Sequence, residues 1–212
     1  MVVLPVFVQA PWVHFNPISA LSFSLVIFTL GLYLTEFCDD KWLNVGSLVI
    51  GISWSWLGGC LFWGWLRDQP VWHLPVEAIL LPIACLAINT RWRVGASFYL
   101  ASLLGTAFTD LMIVFTGVMK SWPDVVQAPL NQASEILSNT AQKLINPISL
   151  ALIFAAAILI LLIAIAMRRK AIPGSISESS WLVASAALTT TLWVDGLFLL
   201  TTLIQPRLSG LI

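Results

Sequence analysis

The sequence predicts an all-α fold, a polytopic membrane helix bundle of about six transmembrane helices plus one amphipathic surface helix. Composition is the first reason: of 212 residues, 59% are hydrophobic and only 9% charged, against about 25% charged in a soluble domain. The second is that the apolar residues gather into runs near the roughly 20 residues a helix needs to cross a hydrocarbon core, giving a mean hydropathy of +0.93. The third is that short polar clusters separate those runs, so positions 1–212 read as a single transmembrane domain.

Residues 1–16 are apolar but broken by Pro5 and Pro11 and too short to cross. They carry no basic residue, unlike a secretory leader, and are expected to lie at the interface as mature chain, with Trp12 and His14 at headgroup level. The first span is expected over about 17–37, closed by Glu36, Asp39, Asp40 and Lys41. The second, about 43–66, carries Ser47, Gly51, Ser55 and Gly59 at four-residue steps, a strip of small side chains that lets helix backbones approach closely.

The third span, about 74–89, is short for a crossing and holds two prolines. Pro75 suits a first helical turn, whereas Pro82 leaves the carbonyl of Ala78 without its donor, so a kink is expected near it. The fourth, about 94–119, has a small-residue strip of Ser97, Ala101, Gly105 and Thr109 beside a polar one of Ser102, Thr106 and Asp110. Both predict a helix buried inside the bundle. Over 130–145, Leu130, Ala133, Leu137, Ala141 and Leu144 recur at helical spacing opposite Asn131, Gln132, Ser138 and Gln142, the pattern of an amphipathic surface helix. The fifth span, about 148–167, is almost uninterrupted Leu, Ile and Ala, suited to lipid exposure. The sixth, about 181–204, carries Thr189, Thr190, Thr191, Asp195 and Thr202.

Six spans put both termini on one side. Lys41, Arg91, Arg93, Arg168, Arg169 and Lys170 share one set of loops, and Arg67, Lys120, Lys143 and Arg207 the other, so the positive-inside rule places the termini outside. Ten basic and ten acidic residues cancel, and no basic run is present to attract nucleic acid. The expected partners are the lipid bilayer and other membrane protein subunits.

Alternating topology brings Glu77, Asp110 and Asp195 toward one membrane face, Glu77 roughly 5 Å deep and the aspartates roughly 15 Å at 1.5 Å per residue. A charged Asp at mid-bilayer costs roughly 3 kcal/mol, and no Lys or Arg lies in a span to offset it. Either the acids are protonated or a cation joins them. The plain structural reading has Glu77 favouring a helix N-terminus and the aspartates bonded to Thr106 and Thr191. The functional reading is an intramembrane proton or cation site built from Glu77, Asp110, Asp195, Thr106 and Thr191. A metal site on His73 and Glu77, four residues apart, is a thinner alternative, because the chain has two histidines in all. Cys38, Cys60 and Cys85 form no Cys-x-x-Cys pair and suggest neither zinc nor a disulfide framework. Trp54 and Trp56 sit deep enough to stack on a pigment, quinone or lipid tail, although core packing is the plainer use. No nucleotide-binding loop, zinc-protease motif or nucleophile elbow is present, and no cofactor is named.

The segments Gln9-Ala10-Pro11-Trp12, His73-Leu74-Pro75-Val76-Glu77-Ala78 and Gly105-Thr106-Ala107-Phe108-Thr109-Asp110 resemble an uncharacterised family of cyanobacterial multi-pass integral membrane proteins, a domain of unknown function. The resemblance covers most of the chain and carries over no activity, cofactor or catalytic residue. It implies the thylakoid or plasma membrane of a photosynthetic bacterium. Short loops and missing reaction motifs lead us to expect a non-enzymatic accessory or assembly partner of larger, photosynthetic membrane complexes. The alternatives are a proton- or cation-coupled small-solute carrier or channel using the intramembrane carboxylates, and a metal-dependent membrane enzyme.

Overall fold

The computed structural model describes residues 5–205, apart from the side chains of Pro5, Val6, Leu130 and Asn131. Expectations for residues 1–4, for Arg207 and for the side chains of Leu130 and Asn131 lie outside the described residues. Helices are α1 (Ala10–Phe15), α2 (Pro17–Glu36), α3 (Leu43–Leu61), α4 (His73–Glu77), α5 (Leu81–Ala87), α6 (Arg93–Phe115), α7 (Trp122–Gln127), α8 (Leu130–Lys143), α9 (Pro147–Arg169) and α10 (Glu178–Ile204). No strand occurs among the described residues. Six helical segments are long and apolar enough to cross a membrane, namely Pro17–Glu36, Asp40–Leu66, Pro70–Ala87, Arg93–Phe115, Pro147–Arg169 and Glu178–Ile204. The chain is an all-α polytopic helical bundle.

Capping residues begin two of these helices: Asn16 accepts from the Ser19 amide at 3.1 Å and Asn146 from the Ser149 amide at 2.9 Å, each followed by proline at the first helical position. The third segment is broken as its prolines require. A 3-10 turn over Ala78–Leu80 separates α4 from α5, and Pro82 lies in the first turn of α5, where no amide donor is needed.

α3 is the packing centre, with 61% of its span buried against 22% for α2 and α9. A Cβ at Gly51 would stand 2.2 Å from the carbonyl oxygen of Gly95, and one at Gly95 2.0 Å from that of Ser47, so α3 and α6 meet backbone to backbone. The Ser47 hydroxyl accepts from the Gly95 amide at 2.9 Å. In lipid, such close packing replaces the hydrophobic force that holds soluble helices together. The second face of α6 meets α10 at Gly105, where a Cβ would be 2.6 Å from Thr191 Oγ1.

The structure adds contacts that the sequence did not predict and corrects one expectation, the burial of the fourth span. Segment Pro5–Phe15 packs onto the bundle: Gln9 is fully buried, and its Nε2 donates to the Trp56 carbonyl at 2.6 Å and Cys60 Sγ at 3.1 Å. Gly59 makes room for it. Trp12 joins an aromatic cluster with Phe23 and Trp56. The fourth span is buried only in its first half, from Val94 to Gly105; beyond it one side meets α4 and α10 through Asp110 and Thr109, while Leu111, Val114 and Phe115 are exposed. Trp54 and Trp56 pack against protein, the plainer use expected of them: Trp54 on Trp92 and Tyr99, Trp56 with its indole donating to the Ala20 carbonyl at 3.0 Å.

At one end of the bundle, Arg91 pairs with Glu36 at 2.8 Å and Asn44 reaches Ser179 at 3.3 Å. At the other, Arg67 meets His14 Nδ1 at 2.5 Å and its carbonyl accepts from the Trp122 indole at 2.7 Å. α8 lies over this second end with Ala133, Leu137, Thr140 and Ala141 buried, the face its spacing predicts.

Candidate functional site

His73 opens α4 because Pro70 and Pro75 start the chain into helix around it. One turn later, Glu77 returns to the same face, and its Oε1 stands 3.3 Å from His73 Nε2. On the other side of the ring, Asp110 of α6 places Oδ1 2.9 Å from Nδ1. Their side chains are 22%, 18% and 14% exposed for His73, Glu77 and Asp110, so one imidazole lies between two largely buried carboxylates. Phe62 tilts over the ring at 4.4 Å between centroids, and Trp63 flanks it at 6.4 Å.

The supports come from two helices, α6 and α3. Thr106, one turn before Asp110 on α6, faces the Glu77 carboxylate. The Tyr99 hydroxyl donates to the Glu77 carbonyl, which opens the 3-10 turn after α4. Gly58 of α3 lets the chain pass, since a Cβ there would lie 3.0 Å from Glu77 Cα.

Asp195 of α10 forms a second polar group, taking a hydrogen bond from Thr109 Oγ1 at 2.7 Å. Because Thr109 and Asp110 are successive residues, α6 carries both groups side by side. Thr191 does not serve an aspartate: its hydroxyl returns to the Ala187 carbonyl at 3.1 Å and its side chain fills the notch at Gly105. The expected pairing of the aspartates with Thr106 and Thr191 is therefore corrected. Thr106 turns to Glu77, and Thr109 supplies Asp195.

The proposed metal pair fares differently. Glu77 and Asp110 occupy opposite nitrogens of one ring, so the imidazole cannot join both carboxylates around a single ion. Among the described residues, no group of three or more His, Cys, Asp or Glu side chains is arranged to hold one. What the arrangement can do is pass a proton. An imidazolium donates to both acids at once, and a neutral imidazole donates to one while accepting at its other nitrogen.

Sequence reasoning reached Glu77, Asp110 and Asp195 through their missing counter-charge, but not the link between His73 and Asp110. Its one signal was the absence of Lys and Arg from the spans, which left His73 as the nearest cationic side chain.

No curated protein and no solved structure matches the chain. The family described as "Protein of unknown function (DUF3120)" matches residues 1–203, nearly the full length, and the chain belongs to that family.

Proposed function

We propose that the protein is a proton-linked membrane carrier or channel in which Glu77, His73 and Asp110 form the proton site. The observation that carries this reading is the imidazole held between two largely buried carboxylates, 3.3 Å and 2.9 Å from its two nitrogens. A proton passed from Glu77 to Nε2 lets the Nδ1 proton leave to Asp110, so one proton enters and one departs with no net change on the ring. The ring then resets by returning the proton or by turning over. A purely structural acid would need one donor, whereas His73 serves two acids, and ionisable groups in spans tend to line ion and proton paths. The accessory role in a photosynthetic membrane has no geometric feature of its own and enters as the competing outcome.

The test is flux in liposomes reconstituted with the protein and loaded with a pH-reporting dye, under an imposed pH gradient and pulses of Na+ or K+. Wild type should dissipate the gradient faster than protein-free liposomes, and Asp110→Asn should abolish the difference. If wild type matches empty liposomes while the protein co-purifies in a larger complex in mild detergent, the accessory role replaces this one.

A further inference from the structure

Beside Asp195 lies a cavity of about 320 Å³, at the lower end of the roughly 300–1,000 Å³ range of small-molecule sites. Phe108 and Met112 of α6, Ile153 and Ala157 of α9 and Leu199 of α10 give it apolar walls, and Leu137 of α8 also lines it. Asp195 is the only ionisable residue among the described residues that line it. The hydroxyls of Thr116 and Thr202, also in the wall, return to their own helix at Met112 (2.6 Å) and Phe198 (2.7 Å). Only Thr109 donates to Asp195 among the described residues. A carboxylate in an apolar wall with one hydroxyl donor and no basic neighbour suits a cation brought by a ligand.

We propose that this cavity binds an apolar molecule ending in a protonated amine, with the ammonium on Asp195 and the hydrocarbon body against α6, α9 and α10. The fit combines charge and polarity: one acidic point in a largely apolar wall, as lipophilic ammonium ligands require. The proposal does not rest on the His73 site, since it concerns binding and uses none of those three side chains.

The structure supplies a plug for the test. A Cβ at Gly196 meets nothing within 4 Å, and Gly196 lines the cavity, so Gly196→Leu is chosen to add bulk at its wall. Thermal unfolding of the full chain in dodecyl maltoside is followed against decylamine and its neutral counterpart decanol at pH 7. Wild type should show a saturable rise in Tm with decylamine at about tenfold lower concentration than with decanol, as expected for a hydrogen bond to a charged group. Asp195→Asn should remove that preference. Gly196→Leu should lose the response to decylamine while keeping the Tm of the free protein. Equal potency of amine and alcohol in wild type overturns the ammonium assignment, and an unchanged decylamine response in Gly196→Leu overturns the cavity. Should Gly196→Leu fail to fold, Asp195→Asn decides alone, and an amine preference kept there overturns the proposal.

Discussion

Asp110 and Glu77 differ in what their loss leaves behind. Asp110→Asn keeps a hydrogen-bonding shape beside His73 Nδ1, while Asp110→Ala leaves that nitrogen without its acceptor, at a cost of about 1–3 kcal/mol for a buried polar group. Asp110→Ala is therefore expected to lower Tm in detergent more than Asp110→Asn, with equal losses arguing that the contact is not made. Gln9 gives a second contrast: Gln9→Ala removes two buried donations at once and empties the space beside Gly59. A loss of about 2–4 kcal/mol follows from cavity and hydrogen-bond terms together, and an unchanged thermal midpoint would place the N-terminal segment outside the bundle. Isolated acids in apolar runs are legible in a sequence because nothing nearby offsets them. Gln9 is not, since a lone amide in a broken, Pro-rich stretch has no periodicity to mark it as buried.

Among the elements, the crossing of α3 and α6 is the least tolerant of change. Gly51→Ala puts a methyl group 2.2 Å from a backbone oxygen, which no side-chain rotation relieves, so the helices must separate at a cost of about 1–3 kcal/mol or more. Leu161→Phe on the exposed face of α9 adds bulk into lipid. Folded yield after membrane extraction should fall sharply for the first and hold for the second, and equal tolerance would contradict backbone contact at this crossing. Small-residue strips and the Pro82 break were readable, because each follows from the shape of single residues at fixed spacing. The burial of α6 was overread, since its polar strip does meet a neighbouring helix through Asp110 and His73 but says nothing of the opposite face, where Leu111, Val114 and Phe115 are exposed.

For the molecule as a whole, orientation follows from the loops. Glu36 with Arg91, and Asn44 with Ser179, gather the loops that hold Lys41, Arg93 and Arg168 at one end, and the positive-inside rule directs that end to the cytoplasm. Cys38 lies there, partly exposed, whereas Cys60 is buried and Cys85 is exposed on α5 within a span. An impermeant thiol reagent should label Cys38 from the cytoplasmic side alone, and labelling from the opposite side would reverse the topology. Helix number was legible because hydropathy fixes it. The sharing of His73 by two helices was not, because it depends on the rotation of α6 about its axis, which the α3 crossing and the Gly105 notch set together. That sharing is the central claim, and the two histidines of the chain make it directly measurable by 15N NMR of histidine-labelled protein, with His14→Gln assigning the His73 signals. Both ring nitrogens of His73 should report carboxylate hydrogen bonds, the Nδ1 signal shifting in Asp110→Asn and the Nε2 signal in Glu77→Gln. A His73 spectrum that neither substitution moves would contradict the shared site.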